Sequence, residues 1–86
     1  MSDLINDELT AIYEGEMALA EHIRKTIMQD IDAKKFNSFE LAGRLETTRI
    51  GVEAMKSRKT WTLRYAIAVA RKLGYSLGTL EVTKND

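Results

Sequence analysis

The sequence predicts an all-α fold, a compact bundle of about five helices, with a short C-terminal strand as one option for the tail. Three observations point there. Apolar residues recur at spacings of three to five along most of the chain, the period of a helix that buries one face. Asn, Thr and Gly stand where such helices would begin and end. Proline is absent, so nothing in the chain forces a kink.

Taken in order, residues 3–14, "DLINDELTAIYE", read as a first helix, with Leu4 or Ile5, Leu9 and Ile12 near one face. Gly15 weakens or ends it. Residues 16–33 read as a longer helix, with Leu19, Ile23, Ile27 and Ile31 four apart and Ala20 and Met28 beside them. The third start signal is strong. Asn37 can accept from the third residue on, Glu40 can return the bond as in a capping box, and Phe36 and Leu41 sit as a hydrophobic staple. A short helix should run from Ser38 to Leu45. "ETT" breaks it, and Thr47 or Thr48 caps another helix to about Lys56, with Ile50 or Val52 and Met55 facing inward. "SRKTW" is a loop. Thr62 caps the last long helix, whose stripe is Leu63, Ala66, Ile67, Ala70 and Leu73, and Gly74 supplies its stop. The tail "YSLGTLEVTKND" can form one more helical turn or a short strand over Leu80 to Thr83.

A chain of 86 residues, 44% of them hydrophobic, is bounded to one small domain, residues 1–86. Near about 80 residues a core is marginal, so burial between two copies would help it. There is no cysteine, hence no disulfide framework and no thiolate metal site. The apolar runs are too short to span a membrane. The start "MSDLINDEL" carries acids where a signal peptide carries bases, so the cytoplasm is the expected compartment.

The formal net charge is zero, but the charge is segregated. Residues 1–33 hold two basic against eight acidic residues, net −6, and residues 34–86 hold eleven against five, net +6. One half of the chain is therefore suited to a polyanion and the other is not.

The middle of the chain carries the candidate surface for such a contact. Two short helices joined by three or four residues must cross steeply, with a small residue where their backbones approach. Ala42 meets that need and Gly43 beside it is permissive; Leu41, Leu45, Val52 and Met55 supply the buried side. Thr48, Arg49, Glu53 and Lys56 then fall on the outer face of the second helix, and Arg58 and Lys59 follow where a phosphate strand would pass.

The stretch from Phe36 to about Leu80 resembles the helix-turn-helix domain of the phage-repressor and Cro-like, or Xre, family, whose fold is lambda-repressor-like. "FNSFELAGRL" is similar to that family's second helix, including the pair Leu41 and Ala42. "TTRIGVEAM" is similar to its recognition helix, and "TLRYAIAVARKLGYSLGTL" to its fourth helix and the ending after it. The likeness covers about half the chain, residues 36–80, without a gap. It implies five helices, operator binding as a homodimer and regulation of transcription. It also implies double-stranded DNA contacts from Ser38, Thr47, Thr48, Arg49, Glu53, Lys56, Arg58 and Lys59. The chain departs from the family at Glu46, where a turn glycine is usual, and at Ser38, where glutamine is usual. It also carries Gly51 inside the recognition helix and Glu53, able to accept from cytosine N4, on its outer face.

No catalytic or metal-binding constellation competes with this. His22 is the only histidine and lacks a second ligand or a nucleophile at useful spacing. No cofactor is expected. Trp61 is expected to pack beneath the last helix. The competing function is a protein-interaction module, antitoxin-like or an antirepressor. In it the acidic helices of residues 1–33 bind a basic protein partner and the helix-turn-helix serves as scaffold.

Overall fold

The computed structural model describes residues 11–78 and 80–83. The described chain runs β1 (Ala11–Glu14), α1 (Glu16–Asp32), α2 (Ser38–Arg44), α3 (Arg49–Ser57), α4 (Leu63–Lys72) and β2 (Leu80–Thr83). The described residues form a bundle of four helices with a two-stranded parallel sheet, where about five helices with an optional C-terminal strand were expected.

The difference lies at the start. Residues 11–14, expected to finish a first helix, are a strand; residues 3–10 of that expected helix lie outside the described residues. Ala11, Ile12, Tyr13 and Glu14 pair in register with Leu80, Glu81, Val82 and Thr83. The strand at Leu80–Thr83 is the one the tail allowed for. A parallel pair needs a long connection, and here the whole helical body provides it. Two strands alone are marginal in water. These are held because Tyr13, Leu80 and Val82 pack against the core. Ile12, on the other face of β1, is exposed. Gly15 separates β1 from α1 at φ 93, a left-handed conformation that side chains resist.

α1 buries Leu19, Ala20, Ile23, Ile27 and Ile31, the predicted stripe, and packs on α4. Ala20 on α1 and Ala66 and Ala70 on α4 are almost wholly buried, so the two helix axes can approach closely. Burying a side chain such as Ile23 or Ile27 contributes about 1.5–3 kcal/mol. Val69 joins the buried side of α4, while Leu63 and Ile67 are only half-buried. Trp61 closes the core as expected, with its ring edge-on to Tyr65 at 5.2 Å. Its indole N–H is buried without a partner among the described residues.

Three helices begin at side-chain caps. Asn37 Oδ1 accepts from the Glu40 N–H at 2.6 Å, Thr48 Oγ1 from Gly51 at 3.2 Å and Thr62 Oγ1 from Tyr65 at 3.2 Å. Each is worth about 1 kcal/mol. The Glu40 carboxylate pairs with Arg44 at 3.2 Å, so half of the expected capping box is spent along the helix instead.

Three helices also end alike. After α1, α2 and α4 the residues Lys34, Glu46 and Gly74 take positive φ of 63°, 54° and 89°. In each case this residue's N–H and the next one's reach back to carbonyls of the last turn. After α2, Glu46 bonds Gly43 at 3.3 Å and Thr47 bonds Ala42 at 3.0 Å. This is the Schellman arrangement, which normally takes glycine at the left-handed position. Across the fold, the Tyr75 hydroxyl donates to Asp30, and Lys35 sits 3.3 Å from the same carboxylate. That contact ties the end of α1 to the segment after α4.

Candidate nucleic-acid interface

α3 has two sharply different sides. Val52 and Met55 are buried, and Gly51 and Lys56 flank them half-buried. Arg49, Ile50, Glu53, Ala54 and Ser57 are all exposed. At about 100° per residue these five fill one continuous arc opposite Val52 and Met55. Ile50, Glu53 and Ser57 lie in its middle, with Arg49 and Ala54 at its edges.

The inward alternatives for α3 thus resolve in favour of Val52. Ile50 is 81% exposed and faces out. The helix period contained this answer: with Val52 and Met55 inward, Ile50 must fall nearly opposite both.

α2 stands against the start of α3, and Ser38, Phe39, Ala42, Thr47, Thr48 and Arg49 line an open groove between them. Four of the expected contact residues, Ser38, Thr47, Thr48 and Arg49, are therefore brought together. Three of them offer hydroxyls and one a guanidinium. Ala42, the small residue expected at the crossing, is half-buried and lines this groove.

Gly51 is explained by Thr47. A Cβ at position 51 would fall 2.1 Å from Thr47 Oγ1, 3.2 Å from its Cβ and 3.3 Å from its Cγ2. The glycine accommodates the residue before the helix cap, a contact that neither propensity nor spacing reveals.

The remaining expected contacts divide. Glu53 is exposed, and its carboxylate lies 3.7 Å from Lys56 Nζ. Lys56 was expected on the outer face but is half-buried, and its ammonium is 3.7 Å from the Glu53 carboxylate. Arg58 and Lys59 are exposed just beyond α3. The Arg58 guanidinium lies 4.7 Å over the Tyr65 ring, which in turn meets Trp61. That stack restrains a long side chain that remains exposed.

Arg44, by contrast, is a structural cation. It donates to the Leu73 carbonyl at 3.1 Å and pairs with Glu40, bracing α2 against the end of α4. On α1, Arg24 makes two hydrogen bonds to Glu21, at 2.8 and 2.7 Å, which lower the Glu21 carboxyl below its ordinary pKa. His22 is half-buried beside Tyr13, ring centroids 4.9 Å apart. Among the described residues no group of His, Asp and Glu could hold a metal ion, and no helix is long and apolar enough to cross a membrane.

No protein-family model, curated protein or solved structure matches the chain.

Proposed function

We propose that the chain is a sequence-specific DNA-binding regulator of transcription, a small phage or bacterial repressor that holds its operator as a homodimer. In this reading α2 and α3 are a helix-turn-helix and α3 enters the major groove. The observation that carries it is the exposed arc of α3. It starts at a threonine cap and Arg49, stands opposite a fully buried side, and is followed by the exposed cations Arg58 and Lys59.

Each part has a task in that reading. Arg49 is in the first turn, where a guanidinium can bond guanine O6 and N7 together. Ser38, Thr47 and Thr48 suit phosphate oxygens at the groove between the helices. Arg58, held over Tyr65, and Lys59 suit the next phosphates along. Lys56 neutralises Glu53, reducing the repulsion an outward carboxylate would meet at the duplex.

Binding to random duplex, titrated with salt, is the first test. Two or more phosphate contacts per subunit should give log affinity that falls linearly with log salt, by about 0.9 per contact. Selection of bound sites from a random pool should then return a two-fold symmetric site. A salt-independent signal, or a pool that never enriches, would refute the reading.

The outward carboxylate Glu53 and the exposed Phe39 and Ile50 favour a second reading, a protein-interaction module of antitoxin or antirepressor type. In that reading the acidic residues of positions 1–33 make the contact. Of that acidic surface, Glu21 and Asp30 are already engaged within the fold. The salt titration separates the two readings.

A further inference from the structure

Four large apolar side chains are strongly exposed among the described residues: Ile12, Met17, Phe39 and Ile50. Two of them fall on the α2–α3 pair, each as the second residue of its helix. Ile50 is the unusual one. It lies in the middle of the exposed arc of α3, beside Arg49, with Ala54 one turn further on the same side. Glu53, the only acid of that arc, has a lysine as its neighbour, so the Ile50–Ala54 edge is an apolar strip in a polar setting. An isoleucine placed there exposes a branched aliphatic chain that no core contact requires.

On the reading that α3 enters the major groove, we propose that Ile50 determines specificity by packing on the 5-methyl group of a thymine. In the major groove thymine is the base that offers an apolar group, and aliphatic side chains are its natural partners. The flanking charge supports this occupant over an apolar protein surface. Arg49 precedes Ile50 on α3 and, with the hydroxyls of Ser38, Thr47 and Thr48, lines the groove at the edge of the arc away from Ala54, and Arg58 and Lys59 follow the helix. Arg49 and Ile50 are adjacent residues on a helix, so a guanine and a thymine read by them should stand within one or two steps of each other in each half-site.

The test removes only the methyl group. In the site enriched from a random pool, each thymine is replaced in turn by uracil, which keeps every hydrogen-bonding group of the base pair. One thymine per half-site should be sensitive, with binding about fourfold weaker per subunit, the factor that burial of one methyl group supplies. The Ile50→Ala protein should bind the parent site more weakly and should no longer distinguish thymine from uracil there. Ile50 is 81% exposed, so this variant should keep the parent's melting temperature, which is measured alongside. Specific binding with no sensitive thymine would overturn the proposal while leaving DNA binding intact. So would uracil sensitivity that survives in Ile50→Ala. If instead Ile50→Ala abolishes self-association in sedimentation without altering base preference, the residue belongs to an interface between copies. If the parent protein enriches no site, the proposal falls together with the reading it rests on.

Discussion

Consider Gly51→Ala, a change that helix propensity alone says should help. Alanine in a helix interior is about 0.8–1.0 kcal/mol better than glycine. The added methyl, however, would meet Thr47 Oγ1 at 2.1 Å, far inside contact distance. Thr47 is exposed and can rotate, and one of its other χ1 wells turns only a hydrogen toward the new methyl. Even then its Cβ, at 3.2 Å, and whichever atom takes the place of Cγ2, at 3.3 Å, stay tight. Loss of the preferred rotamer together with this crowding costs about 1–3 kcal/mol. The costs exceed the propensity gain, so Gly51→Ala should lower stability by roughly 1 kcal/mol. In a Thr47→Ala background both γ atoms are gone, and the same substitution should be neutral or stabilising. Urea unfolding of the parent, both single variants and the double variant gives the coupling energy directly, expected at about 1–2 kcal/mol. A coupling near zero, with Gly51→Ala stabilising in both backgrounds, would mean that Thr47 does not pack over the first turn of α3. The groove beside Arg49 would then be misdrawn.

Further outcomes follow from other contacts. Glu46 holds a left-handed φ of 54° and its ion pair to Lys72 is long, at 3.9 Å, so Glu46→Gly should relieve more strain than it adds unfolded-state entropy. A gain of about 0.5–1 kcal/mol, seen as a rise of roughly 2–6 °C in Tm, is expected; a lower Tm would contradict the turn geometry. Arg49→Ala should weaken the selected site by about 1–3 kcal/mol and relax preference at one base pair per half-site. Unchanged affinity and preference in the folded variant would remove α3 as the reading helix. Neutralising Arg58 or Lys59 should weaken all sequences alike and reduce the salt slope by about one per subunit, whereas Lys56→Gln, already paired with Glu53, should change the slope less. Equilibrium sedimentation on DNA should find two subunits per symmetric site; one subunit at saturation would exclude the dimer.

The sequence by itself determined the helices that local chemistry specifies. Asn37, Thr62 and the pair Thr47 and Thr48 announced three helix starts because a cap needs only a side-chain oxygen and an N–H three residues on; the structure selects Thr48 of that pair. The stripe Leu19, Ile23, Ile27 and Ile31 announced the buried face of α1 because helical period maps spacing directly onto a face. The same period left Ile50 or Val52 as the inward residue beside Met55, and the structure buries Val52 and exposes Ile50.

Tertiary structure decided the rest. Residues 11–14 carry a spacing that a helix could use, yet they pair with Leu80–Thr83 at the other end of the described chain. Strand pairing depends on a partner that no local window contains. Lys34 and Glu46 adopt left-handed turns that residue preference assigns to glycine, because α1 and α2 must reverse where their buried faces run out. Arg44 looked like one more cation of a basic half, and it is consumed by the Leu73 carbonyl and Glu40. Formal charge is legible residue by residue. Which cations remain available to a polyanion depends on what each side chain meets when the helices pack.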